Sequence, residues 1–510
     1  MTATITTPEN FARDALDSTS PADAKPGTLP ASKAKTEHTV DLAVIGAGSA
    51  GLSVAAGAAM LDRSVVLFEP GEMGGDCLNT GCVPSKAIIR AGKAAQAFRE
   101  AHKYGIENQV PDVDYPTVRA HVQGIIDHIA PHDSQERFEG LGVTVIRERA
   151  RFAGRDVVES DTHRVKARRI IVAAGSRASA PPVPGLDTVP YLTNESIWGL
   201  EELPPKLLVI GAGPIGLELG QTFQRWGSQV TIFDINGPLG RAEPEHAAGQ
   251  QAALESEGVV FHAPSKTRRI SGEAGAITVE LESGLKVEGT HLLVAAGRAP
   301  NVEGLNLEAA GVRYDRRGIE VDDTLRTSNP KVFAAGDIAA GMGGLTHAAG
   351  YHASTLVKGF YFLPPVLNRI MAKAEADVPA SVYTEPELAS VGLSEAAARE
   401  AGHDVRVTTA AFADNDRAIA ERETAGSVKI VADKKGRILG ASILGEGAGD
   451  LIQILSLAKA QGVKLSGLAQ MIAPYPTRGE AIKRASSAFY TDAVFSPKTK
   501  WLSGILAKFH

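Results

Sequence analysis

Two cysteines occur in the 510 residues, and both lie in one short run: Gly74-Gly75-Asp76-Cys77-Leu-Asn-Thr-Gly81-Cys82-Val-Pro-Ser-Lys86. Thiols separated by four residues at the start of a helix can close a small disulfide ring and open it again, and a helix N-terminus favours a thiolate. Glycine, asparagine and proline crowd the run, so it reads as a loop rather than a core strand. Two other readings are a pair of incidental buried thiols, and half of a zinc site whose remaining ligands a second chain would supply. The scarcity of cysteine excludes a disulfide-stapled secreted fold, and also a multi-cysteine zinc or iron–sulfur centre built by one chain.

The elements around this run are legible. Val40-Asp-Leu-Ala-Val-Ile-Gly46-Ala-Gly48-Ser-Ala-Gly51 is an apolar strand entering GxGxxG and a helix, and Leu207-Leu-Val-Ile-Gly211-Ala-Gly213-Pro-Ile-Gly216 repeats it. In both copies an acid follows the first glycine by 23 positions, Glu69 and Asp234, where a carboxylate can bond an adenosine ribose. A second echo pairs Ile170-Ile-Val-Ala-Ala-Gly175 with Leu292-Leu-Val-Ala-Ala-Gly297. Two related dinucleotide-binding units follow from these repeats. Asp234 should repel a 2′-phosphate and so favour NADH, with Arg241 close enough to bear on that preference. Pro-rich punctuation at 180–185 and 203–205 precedes the second unit, and Phe362-Leu-Pro-Pro365 precedes a third block of strand alternation and a helical stretch near 448–461.

Composition bounds the rest. A chain of 510 residues allows about three domains. Its 53 bases against 59 acids leave −6, which argues against nucleic-acid partners. No apolar run is long enough for a spanning helix. Residues 1–38 are rich in Ala, Thr, Ser, Pro and Lys without apolar period and read as a disordered tail, with no secretory signal, so a cytoplasmic location is expected.

The cysteine run resembles the signature GGxCxNxGCxPSK of the pyridine nucleotide-disulfide oxidoreductases, and the likeness extends over about residues 39–490. The resemblance implies an α/β fold: two Rossmann-like domains for FAD and NAD(P), plus an α+β C-terminal dimerisation domain. The implied boundaries are 39–190 and 299–367 for two segments of the FAD domain, 191–298 for the NAD(P) domain, and 368–490 for the interface domain of a homodimer. Cys82 then matches the cysteine beside the flavin, and Cys77 the one that exchanges with a small-molecule substrate and stands as a free thiolate after reduction. Lys86 and Glu218 match the ion pair at flavin N5. The FAD contacts implied are Gly46, Gly48, Gly51, Glu69, Gly75, Lys86, Gly175, Ser176, Asp337 and His347. For NAD(H), or NADP(H), they are Gly211, Gly213, Gly216, Asp234 and Gly297. No resident metal is expected.

The chain departs from the family in Ala473-Pro-Tyr475-Pro-Thr-Arg-Gly-Glu480, where Tyr475 takes the place of the acid/base histidine and Glu480 keeps its own. A phenol with a reference pKa of about 10 shuttles protons poorly near neutrality but can donate a bond or help position a soft metal. The segment resembles mercuric reductases more than lipoamide dehydrogenases, yet the extra C-terminal cysteine pair expected of the former is missing. The expected activity is therefore NAD(P)H-linked reduction, or the reverse oxidation, of a disulfide, dithiol or soft-metal substrate. Dedicated mercuric ion reduction is the alternative within that class, and a non-catalytic flavoprotein sensor or subunit the alternative outside it. Asp414-Asn-Asp416-Arg417 reads as a turn. The extension 491–510 places Trp501, Ile505 and Phe509 on one helical face, able to meet a membrane surface, a partner or the protein's own surface.

Overall fold

The computed structural model describes residues 34–240, 242–342, 344–374 and 378–508. It opens on β1 (Thr36–Ile45), whose last four residues are buried, as a strand needs when parallel neighbours flank it and both faces are covered. Helix α1 (Ser49–Ala59), β2 (Val65–Phe68), the short α2 (Gly75–Asn79) and the long α3 (Cys82–Glu100) follow. Then come β3 (Val143–Ile146), β4 (Arg151–Gly154), β5 (Val157–Glu159) and β6 (His163–Val172). The sheet runs β3-β2-β1-β6-β5-β4, and a strand from far along the chain, Val332–Ala334, lies parallel on β6.

The expected tail falls mostly outside the described residues, but its last part is corrected. Thr36–His38 are strand, paired with His163–Val165. Their side chains are largely exposed, so backbone bonds make the pairing and leave no apolar period to read.

The chain leaves the first sheet through β7 (Ser176–Ala178) and builds β8 (Lys206–Ile210), α4 (Pro214–Trp226), β9 (Gln229–Phe233), α5 (Pro244–Ser256) and β10 (Val260–His262). After a three-stranded antiparallel insert over 267–289 come β11 (His291–Val294) and β12 (Arg298–Pro300). The strands β10-β9-β8-β11 form an all-parallel sheet, and β12 pairs antiparallel with β7, so the way out and the way back lie side by side.

Helix α6 (Thr346–Val357) packs against α1. Beyond it β13 (Ala380–Val382), β14 (Glu387–Gly392), β15 (Val405–Ala411), β16 (Ser427–Asp433) and β17 (Ile438–Gly445) form an antiparallel sheet ordered β13-β14-β17-β16-β15. Helices α7 (Ala448–Ala460) and α8 (Glu480–Ala488) bury Ile452, Leu455, Ile482 and Ala485 in its core. The extension carries α9 (Pro497–Leu506), begun by Ser496, whose hydroxyl accepts from Thr499 N at 3.2 Å. No residue of α9 is buried, Trp501 faces solvent, and Phe509 of the expected stripe lies outside the described residues. Among the described residues no helix is long and apolar enough to cross a membrane.

Where the parallel sheet's helices meet the last sheet, buried charges are paired. Arg225 of α4 holds Glu257 at 2.7 Å and also pairs with Glu385. Lys429 of β16, 6% exposed, reaches Glu243 at 2.7 Å, Glu245 at 2.6 Å and Glu395 at 3.0 Å. Glu245 and Glu395 can turn to water if the lysine is lost, but Glu243, 5% exposed, cannot. Stranding a buried charge costs about 3–5 kcal/mol, so Lys429→Met should lower the denaturant midpoint and adding Glu243→Gln should recover part of the loss. An unchanged midpoint in the single variant would mean the pair does not hold the interface.

Candidate active site

Both glycine loops are built alike. Gly46 has φ +105°, and a Cβ there would stand 2.4 Å from Ala173 O, while one on Gly51 would stand 1.9 Å from Gly46 O. At the second loop the corresponding approaches are 2.4 Å from Gly211 to Ala295 O and 2.0 Å from Gly216 to Gly211 O. These four glycines let strand and helix close on each other. The middle glycines differ: a Cβ on Gly48 or Gly213 would meet no protein atom within 4 Å. Each is the N-cap of a helix whose first turn takes no side-chain cap bond, a cradle that fits a dinucleotide pyrophosphate at either loop. Glu69 accepts from Ala47 N and Gly71 N, both at 2.8 Å, and Asp234 from Ala212 N and Asn236 N, both at 2.8 Å. Each acid therefore ties its own glycine loop to the strand end, and each oxygen keeps a further lone pair. Arg241 lies outside the described residues.

The cysteine run is stacked on the first cradle. Gly74 N donates to Ala47 O at 3.0 Å, and a Cβ on Gly75 (φ +62°) would stand 2.8 Å from Gly48 Cα. A cleft of about 1330 Å³ brings together Glu69, Cys77, Cys82, Lys86, Glu218 and Asp337. Gly175, Ser176 and His347 also line it. Ser176 Oγ donates to Asp337 Oδ2 at 2.6 Å, Gly175 O accepts from Asn301 N at 3.0 Å, and His347 Nε2 donates to Pro379 O at 2.6 Å. The second loop's Gly211, Gly213, Gly216 and Asp234, with Gly297, lie outside this cleft, which α4 reaches only through Pro214, Ile215, Glu218 and Leu219.

Both cysteines are free thiols. Cys82 is the first residue of the 19-residue α3, and its Sγ lies 3.2 Å from Oγ1 of Thr346, the first residue of α6. Two helix N-termini therefore meet at one sulfur. A hydrogen bond from the Cys77 thiol lowers the Cys82 pKa most; partial burial opposes it, and Thr346 and the Lys86 charge assist, leaving it at about 6. The same bond, with burial, pushes the Cys77 thiol far above its ordinary value. The direction differs from the expected thiolate on Cys77: the start of the long helix and the Lys86 charge favour the anion at Cys82.

Lys86 Nζ lies 2.9 Å from Glu218 Oε2, and Glu218 Oε1 accepts from Tyr383 N at 2.9 Å. The Tyr383 ring stands over the ammonium, 4.5 Å from nitrogen to centroid. The glutamate is buried while the lysine side chain remains 40% exposed to the cleft, so the charge is held from one side and presented on the other.

Tyr475 and Glu480 do not join this cleft in their own chain. Tyr475, 71% exposed, donates to Asp416 Oδ2 at 2.9 Å, and Glu480 caps its own turn, accepting from Thr477 N at 3.3 Å. Tyr475 lies in the loop leading into α8, and Glu480 is the first residue of that helix. The expected turn at Asp414–Arg417 is a helix start, where Asn415 accepts from Ala418 N at 3.0 Å. Thr346, Tyr383 and Arg298 escaped sequence reasoning. Arg298 had a signal: it directly follows the second Ala-Ala-Gly echo as Ser176 follows the first, and its Nε donates to Ser176 Oγ at 2.8 Å. Thr346 and Tyr383 reach the site only through tertiary folding.

Residues 40–353 match the family model of the pyridine nucleotide-disulphide oxidoreductases, and residues 378–486 that of the family's dimerisation domain. The second match supports a homodimer. A mercuric reductase of Streptomyces lividans is 34% identical over 472 residues, 89% of this chain and 97% of that protein. A dihydrolipoyl dehydrogenase of Thermus scotoductus is 34% identical over 471 residues, 89% and 98% of the two chains. Among solved structures, a Cu(II) complex of the HOCl-induced flavoprotein disulfide reductase RclA from Escherichia coli superposes with TM-score 0.76 at 26% identity, covering 88% of this chain and 99% of that one. The thiol pair, the paired lysine and the two glycine loops thus occur on a chain that belongs to the class I pyridine nucleotide-disulfide oxidoreductases, FAD-dependent enzymes that act on sulfur groups with NAD(P).

Proposed function

We propose that the chain carries two electrons from NADH through Cys77 and Cys82 to a thiol-reactive acceptor, a disulfide or a soft-metal ion. When bound, FAD supplies the hydride chemistry that links nicotinamide to sulfur. On this reading the first loop, with Gly46, Gly48, Gly51, Gly75 and Gly175, holds its pyrophosphate end, Glu69 its ribose, and Ser176 with Asp337 its ribityl chain. Lys86, fixed by Glu218, presents positive charge to the flavin edge. Gly211, Gly213 and Gly216 hold the nicotinamide dinucleotide, with Asp234 at its ribose favouring NADH.

The asymmetry of the two sulfurs carries the reading. Reduction breaks the S–S bond with two electrons and one proton, leaving a Cys82 thiolate and a Cys77 thiol. Cys77 must shed its proton to bond an acceptor, and His347 is committed through Nε2 to Pro379 O. Tyr475 and Glu480, the groups expected to meet the acceptor, lie outside this cleft in their own chain, and a phenol is a weak base for that proton. A thiophilic cation displaces the proton by itself, an observation that favours a soft-metal ion as a second reading, alongside a mercuric reductase relative and the RclA structure with Cu(II).

Three outcomes test these assignments. Cys77→Ser should retain flavin and its reduction by NADH yet lose turnover with lipoamide, glutathione disulfide and mercuric ion alike; undiminished turnover refutes the exchange role. In the reduced enzyme, alkylation by iodoacetamide should rise with one thiol's titration near pH 6, because the anion appears as pH climbs through the lowered Cys82 pKa of about 6. Cys82→Ser should abolish that step and Cys77→Ala should move it upward. The KM for NADPH should exceed that for NADH, and equality or the reverse would remove Asp234 as the discriminating residue.

A further inference from the structure

Asp76 stands directly before Cys77. Its Oδ2 lies 3.1 Å from Arg298 Nη2, and its Oδ1 accepts from Thr80 Oγ1 at 2.5 Å and from Asn194 Nδ2 at 3.4 Å. Arg298 opens β12, where the chain returns beside β7. Its Nε donates to Ser176 Oγ at 2.8 Å, its Nη2 to Ser176 O at 2.9 Å, and its Nε stands 3.9 Å from Asp337 Oδ2. One guanidinium therefore joins the cysteine loop to the wall that carries Ser176 and Asp337.

The charges around the sulfurs divide by element. Lys86 comes from α3 and is neutralised behind by Glu218 of α4; Thr346 and His347 come from α6, Tyr383 from the end of β13, and Asp337 is bonded to Ser176. Asp76 comes from α2, adjoins Cys77 in the chain, and places Oδ2 3.2 Å from where a Cβ on Gly81, the residue before Cys82, would stand, so its carboxylate opposes an anion at either sulfur. Its side chain is 38% exposed and that of Arg298 24%, so solvent screens the pair and the effect is a bias rather than a switch.

We propose that the Asp76–Arg298 pair sets the electrochemical poise of the Cys77–Cys82 couple, Asp76 disfavouring the reduced, anionic form and Arg298 limiting that effect while it fixes the loop. This rests on the reading of the two cysteines as the working couple. Reduction by two electrons from NAD(P)H takes up one proton at Cys77 and leaves the charge on Cys82, so a carboxylate beside the product side favours the disulfide.

The test uses the holoenzyme with Asp76→Asn, Asp76→Glu and Arg298→Gln. The readouts are the dithiol–disulfide equilibrium against a dithiothreitol redox buffer, by thiol trapping, and the pH midpoint of Cys82 alkylation. Asp76→Asn should lower that midpoint by about half a pH unit. It should also shift the equilibrium about threefold toward the dithiol, about 15 mV for two electrons. Asp76→Glu should leave both as in the parent enzyme, and Arg298→Gln should move both the other way. The proposal is overturned if Asp76→Asn changes neither quantity, or if the asparagine and glutamine variants shift in the same direction. Should Arg298→Gln lose its flavin, the contrast of Asp76→Asn with Asp76→Glu decides alone. A parent enzyme with no two-electron thiol couple overturns the functional reading itself, whereas a couple indifferent to residue 76 overturns only the role of Asp76.

Discussion

The Lys86–Glu218 contact is the constraint on which the site depends. Glu218 is buried on α4 of the second sheet's layer, where an ionised carboxylate is costly unless every oxygen is served. One oxygen takes Lys86 from α3 and the other takes the Tyr383 N–H beyond β13. Three parts of the chain, far apart in sequence, must dock for this one carboxylate to be satisfied. The lysine that results is oriented rather than free, which is the state in which a cation does most for charge developing nearby. Arg225 and Lys429 repeat the device at the periphery of the same junction, each buried and each shared between glutamates of different segments. The junction is thus electrostatic in kind, and its specificity comes from having no other place to put those charges.

The cysteine pair is asymmetric for the same positional reasons. Nothing intrinsic distinguishes one thiol from the other; the start of α3 and the ammonium of Lys86 favour the anion at Cys82. Lowering one thiol and raising its neighbour through their shared hydrogen bond keeps a single negative charge in the pair. Such a couple is ready to receive electrons on one sulfur and an acceptor on the other.

Much of this was legible in the sequence, and the parts that were not share a cause. The glycine loops, Glu69, Asp234, Cys77 and Cys82 sit on local patterns, where spacing dictates backbone geometry, while Lys86 and Glu218 were legible through the family resemblance. Asp337 and Ser176 were likewise legible through the resemblance. Arg298 stood in the same echo and went unread. Thr346 and Tyr383 have no local mark, since a threonine at a helix start and a tyrosine after a short strand are ordinary residues until tertiary folding brings them to a sulfur and an ammonium. The preference of the anion for Cys82 was beyond sequence for the same reason. The strand at Thr36–His38 was missed because its order is backbone pairing with β6 rather than burial.

The strand at Val332–Ala334 has a consequence for how the chain is made. It completes the first sheet by pairing with Ile170–Val172 of β6, across the whole of the second parallel sheet in sequence. Synthesised from its N-terminus, the first unit therefore emerges with that edge bare, while β8 to β11 can close their own sheet as soon as they are complete. Order of completion and order of sequence part company: the inserted sheet has all its strands first, while the sheet beside the cysteines lacks its Val332–Ala334 strand until the chain is made that far.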